Sequence, residues 1–237
     1  MVSHRRHSES ERMKMSDKSV LLLGATGLVG GECLKRLISD DHYRRIVVLT
    51  RSAISENFRK ARIEHHAINF DRIDEYRNLL KADHVLCALG STIKKAGTKD
   101  QFYKVDFTYT YEIAKAAAEQ GTEHFLLVSS MGANPESRIF YNRVKGELEK
   151  AVQQLPFRSI SIFRPSLILG DRKESRFNEE ISKWAAGIFS FAIPKKYQPI
   201  EAVDIAGAML NMARANRPGV HIHESDEIKN IAKAYAA

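Results

Sequence analysis

Residues 19–30 read S-V-L-L-L-G-A-T-G-L-V-G, and the fold follows from this stretch. Val20 to Leu23 form an unbroken apolar run, the length of a strand buried on both faces. Glycines then stand at positions 24, 27 and 30. Beyond them Cys33, Leu34, Leu37 and Ile38 recur at helical spacing. Strand, glycine turn and amphipathic helix, in that order, make the unit that binds the pyrophosphate of a dinucleotide. Gly24 permits the tight turn, Gly27 keeps side chains away from the phosphates, and Gly30 lets the helix pack close on the strand. The helix start offers unpaired N–H groups and the positive end of a dipole to the anion. The glycines are spaced G-x-x-G-x-x-G rather than G-x-G-x-x-G, so their place between strand and helix carries the assignment.

Working outward, strands and helices alternate. Strands are expected at Ile46 to Thr50, His66 to Phe70, Asp83 to Leu89, His124 to Val128, Ser159 to Phe163 and Val220 to His223. Long helices are expected over residues 101–120, with Phe102, Val105, Tyr109 and Ile113 near one face, and over Phe140 to Leu155. A helix runs from about Ile200 to Ala215, and Ser225 caps a short last one. Such alternation implies a doubly wound parallel α/β sheet, with its ligand beyond the carboxyl ends of the strands. Residues 19–237 read as one domain and residues 1–18 as a disordered tail. Residues 171–237 are expected to add a small C-terminal helical cap on the substrate side. Within them Ile181 to Ile193 is read as core or lid rather than a partner-binding helix.

With 43 % apolar residues in 237, the chain can bury a large core. No apolar run reaches the ~20 residues of a membrane span. The tail lacks the apolar centre of a secretory signal. Cys33 and Cys87 read as buried, reduced thiols, and a cytoplasmic location is expected. The net charge is +8, of which residues 1–18 hold +2. The basic residues are dispersed and no zinc-finger or helix-turn-helix pattern accompanies them, so the charge suits anionic small molecules rather than specific nucleic-acid binding. His221 and His223 share a strand face, but no third ligand is evident and no metal site is assigned.

The strand ends carry the chemistry. Arg51 and Ser52 follow the second strand, with no acid before Glu56. An acid there would bond the ribose 2′-hydroxyl, and an Arg accommodates a 2′-phosphate. This favours NADP(H) over NAD(H). Asp71 either meets the adenine ring or caps the helix after it. Gly90, Ser91 and Thr92 close the fourth strand, and residues 93–100 form a basic loop. Tyr141 and Lys145 stand at i and i+4 on one helix face, just after the strand that ends in Ser129 and Ser130. A nearby ammonium makes a phenol a usable acid-base group, and a serine at the strand end can polarise a carbonyl. A second pair, Tyr111 and Lys115, has the same spacing, but lies midway along its helix, away from the ligand edge.

Taken together, G-A-T-G-L-V-G, the strand-end S-S, Y-N-R-V-K and F-R-P-S-L-I-L-G resemble a short-chain dehydrogenase/reductase. L-G-S-T-I-K-K-A-G, S-S-M-G-A-N and F-R-P-S-L-I-L-G-D-R-K-E-S-R are similar to its atypical, Tat-interacting-protein-like group and the bacterial relatives. The resemblance spans residues 19–233. It implies an NADP(H)-binding Rossmann domain with Ser130, Tyr141 and Lys145 as the triad. It also implies cofactor contacts from Gly24, Thr26, Gly27, Leu28, Val29, Gly30, Arg51, Ser52, Asp71, Leu89, Gly90, Thr92 and Lys145. The loop from Pro165 to Leu167 should lie beside the nicotinamide. Two departures stand out. C-A-L-G, Cys87 to Gly90, replaces the usual N-N-A-G, so a fourth catalytic Asn is not carried over. Ser129 and Ser130 alternate in facing, so only one of them can serve.

Two functions follow. One is an NADP(H)-dependent oxidoreductase acting on a small carbonyl compound. The other is a redox-sensing or regulatory protein that binds NADPH without turnover. A semialdehyde dehydrogenase would need a nucleophilic Cys, and Cys87 falls inside a strand. A protein partner or a homodimer is compatible with either function.

Overall fold

The computed structural model describes residues 17–53, 62–170 and 194–235. The first half comprises β1 (Lys18–Leu23), α1 (Leu28–Ile38), β2 (Tyr43–Thr50), β3 (Ile63–Ala67), a 3-10 helix (Phe70–Leu79) and β4 (His84–Cys87). Next come α2 (Ile93–Ala96), α3 (Lys99–Tyr103), a π-helical stretch (Lys104–Tyr109), α4 (Thr110–Glu119), β5 (His124–Val128) and α5 (Phe140–Val152). The chain closes with β6 (Ser159–Arg164), β7 (Ile168–Leu169), β8 (Ile200–Glu201), α6 (Ala202–Ala215), β9 (Gly219–Glu224) and α7 (Ser225–Tyr235).

Seven strands form one parallel sheet in the order β3-β2-β1-β4-β5-β6-β9. Its strand order reverses at β1, which opens a crevice beyond the carboxyl ends of β1 and β4. Leu23 pairs level with Leu49 on one side and Cys87 on the other. The three strands therefore end together, and their exits converge on one rim. Both sheet faces are covered, which is why the central strands are apolar throughout. On one face α1, α6 and α7 bury Leu22, Leu34, Leu37, Met209 and Ile228. On the other the 3-10 helix, α4 and α5 bury Leu21, Ile73, Ile113, Phe125 and Leu148. Each such side chain contributes roughly 1.5–3 kcal/mol by leaving water.

Four details differ from the sequence expectation. The third strand is Ile63–Ala67, set by pairing Ile46 with Ile63 and Thr50 with Ala67. It is a polar edge strand, so the apolar Ile68 and Phe70 misplace it; both are buried just past its end. The long helix is divided by its π-helical stretch, where Asp106 is fully buried. The Ser225 hydroxyl accepts the Ser166 N–H at 2.6 Å and so ties α7 to the loop after β6. Residues 202–235 build the sheet edge and one helix layer. The cap expected from Ile181 to Ile193 lies outside the described residues, as do residues 1–16 of the tail.

Candidate functional site

The glycine turn shapes the floor of the crevice. Gly24 has φ +80°, and a Cβ there would stand 2.3 Å from the Ala88 carbonyl oxygen. A Cβ on Gly30 would stand 2.1 Å from the Gly24 oxygen, so α1 packs on the turn with no room to spare. Gly27 begins α1 without a side-chain cap. The first-turn N–H groups of α1, which have no intrahelical acceptors, are left for a ligand.

Two hollows that share Gly27, Leu89 and Gly90 occupy the crevice. One, of about 350 Å³, is bordered by Gly24, Thr26, Gly27, Arg51, Leu89 and Gly90, and also by Phe70 and Tyr109. The other, of about 230 Å³, is bordered by Leu28, Val29, Gly90, Thr92, Tyr141 and Lys145. Lys95 on α2 borders both. A further hollow of about 310 Å³, beside Glu32, Lys35 and Gly170, contains none of the candidate catalytic residues.

The structure thus brings most of the expected residues together. Gly30, Ser52, Asp71, Ser130, Pro165 and Leu167 stand outside the lining of these hollows, and Ser129 rather than Ser130 borders the second. The Asp71 carboxylate accepts from Tyr109 Oη at 2.7 Å and pairs with Lys104 at 2.6 Å. Asn69, not Asp71, caps the 3-10 helix, through a bond from the Asp71 N–H to its side chain. The Pro165 carbonyl accepts the Met131 N–H, and the Leu167 carbonyl accepts the Ile200 N–H. From that loop Ile168 borders the crevice instead.

Lys145 is buried and forms an ion pair of 2.7 Å with Asp106, whose side chain is 0 % exposed. Burial pulls the Lys145 ammonium toward deprotonation, but the Asp106 carboxylate and the Tyr141 phenol outweigh it and raise its pKa. The two serines divide as their alternation requires. Ser129 Oγ donates to the buried carboxylate of Glu149, which also holds Arg164. Ser130 Oγ is buried and has no hydrogen-bond partner among the described residues. Tyr111 stacks on Phe107 at 5.8 Å and packs against the core, which removes the second Tyr–Lys pair from the site. Sequence reasoning missed Asp106 and Glu149. The signal was available for Asp106: a carboxylate between Phe102, Val105 and Tyr109, on the buried face of a helix.

Positive φ at Gly24, the missing space at Gly30, an open helix start and an unpartnered serine hydroxyl all fit a dinucleotide. Comparison with known proteins agrees. Residues 24–155 match the family model described as NAD(P)H-binding. The chain belongs to that NAD(P)H-binding family, with a Rossmann-type fold. Among known proteins, protein HTATIP2 of Rattus norvegicus is 35 % identical over 206 residues, covering 85 % of this chain and 83 % of its own. Protein FMP52 of Candida albicans is 34 % identical over 206 residues, covering 83 % and 88 %.

Among solved structures, the UDP-N-acetylglucosamine 4-epimerase of Methanobrevibacter ruminantium superposes with a TM-score of 0.66 at 17 % identity, covering 89 % of this chain and 77 % of its own. MoeE5 in complex with UDP-glucose and NAD superposes with a TM-score of 0.68 at 13 % identity, covering 91 % and 81 %. These two show the shared fold.

The same relatives correct one expectation. FMP52 proteins of several fungi carry the designation mitochondrial, which points away from a cytoplasmic location. The error has a physical source. Lack of an apolar signal core argues against secretion only, because organellar transit peptides have no such core. Among the described residues, no helix is long and apolar enough to cross a membrane.

Proposed function

We propose that the chain is an NADP(H)-dependent oxidoreductase of the short-chain dehydrogenase/reductase type that reduces a small carbonyl compound. The observation that carries this reading is that Tyr141 and Lys145 border the same crevice as the glycine turn. The turn from Gly24 to Gly30 and the start of α1 hold the pyrophosphate. Arg51, exposed at the end of β2, faces the 2′-phosphate with a guanidinium suited to bidentate contact. A bound nicotinamide supplies the hydride.

The Tyr141 phenol passes its proton to the carbonyl oxygen, and the Ser130 hydroxyl donates a hydrogen bond to the same oxygen. Lys145, one turn further along α5, stabilises the phenolate left behind. Ser129 serves the site indirectly, through Glu149 and Arg164, by fixing the end of β5 against α5 and β6.

The test is Tyr141→Phe. Turnover of a carbonyl substrate should fall about 100-fold or more, while the NADPH dissociation constant stays within about twofold of the unaltered protein. Retained turnover in that variant overturns the proton-transfer role. A broad carbonyl panel with no NADPH oxidation, alongside micromolar NADPH binding, would replace the reading with a binding-only protein.

A further inference from the structure

The two hollows of the crevice meet along a short shared lining, and that lining carries one charge. We propose that Lys95 of α2 is the cation that holds the pyrophosphate of the bound dinucleotide, alongside the start of α1. This rests on the cofactor reading above and adds a contact to it.

A dinucleotide has two halves joined by its pyrophosphate. On the cofactor reading, the hollow beside Arg51 takes the adenosine half and the hollow beside Tyr141 takes the nicotinamide half. The pyrophosphate then falls where the two linings coincide: Gly27 at the start of α1, Ala88 to Ser91 at the exit of β4, and Lys95. Of these only Lys95 is charged. Among the described residues no carboxylate borders either hollow, and the charged side chains there are Arg51, Lys95 and Lys145. Arg51 borders the first hollow only. Lys145 borders the second only and already faces Asp106 at 2.7 Å. Lys95 is the cation placed at the junction.

Local structure fixes where this lysine stands. Thr92 caps α2 by accepting the Lys95 N–H at 3.2 Å. Gly97, at φ +83°, donates its N–H to the Ile93 carbonyl and ends the helix after one turn. The base of α2 is tied down as well, because the Ser91 N–H bonds the buried Asp106 carboxylate at 2.8 Å. Both Lys94 and Lys95 are exposed, but Lys94 borders neither hollow. The α1 start offers the pyrophosphate N–H groups and a dipole, which amount to only a partial charge. An ammonium supplies a full one, and its flexible stem lets three donors reach phosphate oxygens without a fixed geometry.

The test reads dissociation constants by fluorescence titration and displacement, without turnover. The probes are NADPH, NADH, ADP-ribose, which keeps the pyrophosphate but lacks the 2′-phosphate and nicotinamide, and 2′-AMP, which has no pyrophosphate. In Lys95→Met the constants for NADPH, NADH and ADP-ribose should rise by one common factor of about ten, the loss of one charged contact. The constant for 2′-AMP should stay within about twofold. Lys95→Arg should keep most of the affinity, and Lys94→Met should change no constant more than about twofold, as expected of a screened surface charge.

Lys95 is exposed, so its replacement leaves the core intact. A loss confined to NADPH and 2′-AMP would move Lys95 to the 2′-phosphate and overturn the proposal. An equal loss in Lys94→Met would reduce the effect to general surface charge and overturn it too, as would unchanged constants in Lys95→Met. Failure of the unaltered protein to bind either NADPH or NADH would instead strike the cofactor reading itself, and this contact with it.

Discussion

The two edges of one sheet treat polar groups in opposite ways. At the carboxyl ends of the strands, charge is kept: Lys145 faces Asp106, and Arg51 stands exposed at the rim. At the amino ends, two buried imidazoles are kept uncharged. His84 and His124 are level in the register of β4 and β5, with ring centroids 5.7 Å apart. Tyr43 Oη bonds His84 Nδ1 at 2.7 Å, and Ser161 Oγ bonds His124 Nε2 at 2.9 Å. Burial, helped by Lys18 and His42, pulls His84 down to about 4. Burial, helped by His84 and His221, pulls His124 down to about 3. What separates the edges is compensation. A buried charge persists where an opposite charge faces it, and a buried imidazole met by hydroxyls and, at His84, by the Lys18 ammonium stays neutral.

The largest effect expected from this contrast is acid destabilisation through the amino-end edge. In the unfolded chain each imidazole takes up a proton near pH 6.5. In the folded protein His84 does so only near 4 and His124 only near 3. Between those values the unfolded chain binds more protons, so stability falls as pH falls. From pH 7 to pH 5 the loss is about 2 kcal/mol per histidine, or about 4 kcal/mol for the two. Urea midpoints at the two pH values measure it. Replacing both histidines by Gln should flatten the dependence; an equal drop in that variant would break the contrast between the edges.

The carboxyl-end edge was the more legible of the two in the sequence, for a physical reason. Gly24, Gly27 and Gly30, or Tyr141 and Lys145, act at fixed local spacing along a turn or one helix face. Spacing of that kind survives in the linear sequence. The pairing of His84 with His124 depends on the register of strands 40 residues apart. The pairing of Asp106 with Lys145 depends on two helices meeting over Gly90. Neither can be seen from local pattern. The run of Phe102, Val105 and Tyr109 around it signals that Asp106 is buried, but not which group it faces. β3 was misplaced because it is a polar edge strand whose apolar neighbours pack from outside it. Arg51 was legible as a rim cation because few residue types suit the end of β2 in this fold.

A smaller effect tests Arg51. If compensation by a ligand is what keeps charge at this edge, Arg51→Asp should lower the preference for NADPH over NADH about tenfold, read as the ratio of the two dissociation constants. An unchanged ratio would remove Arg51 from the compensated set and leave it a solvated cation.

The smallest effect belongs to Asp71, which marks where the rim ends. Its carboxylate is held down by Lys104 first and then by Tyr109, and it stands exposed. Those partners already satisfy it, so it has no need of a ligand, yet Tyr109 borders the same hollow as Arg51. Asp71→Asn should therefore act only by loosening Tyr109, changing NADPH affinity about threefold or less, as titration would show. A tenfold loss would mean that the carboxylate itself meets the nucleotide. The charged edge would then reach past β2 to the start of the 3-10 helix, and a half-exposed acid would join Arg51 among the groups a ligand compensates.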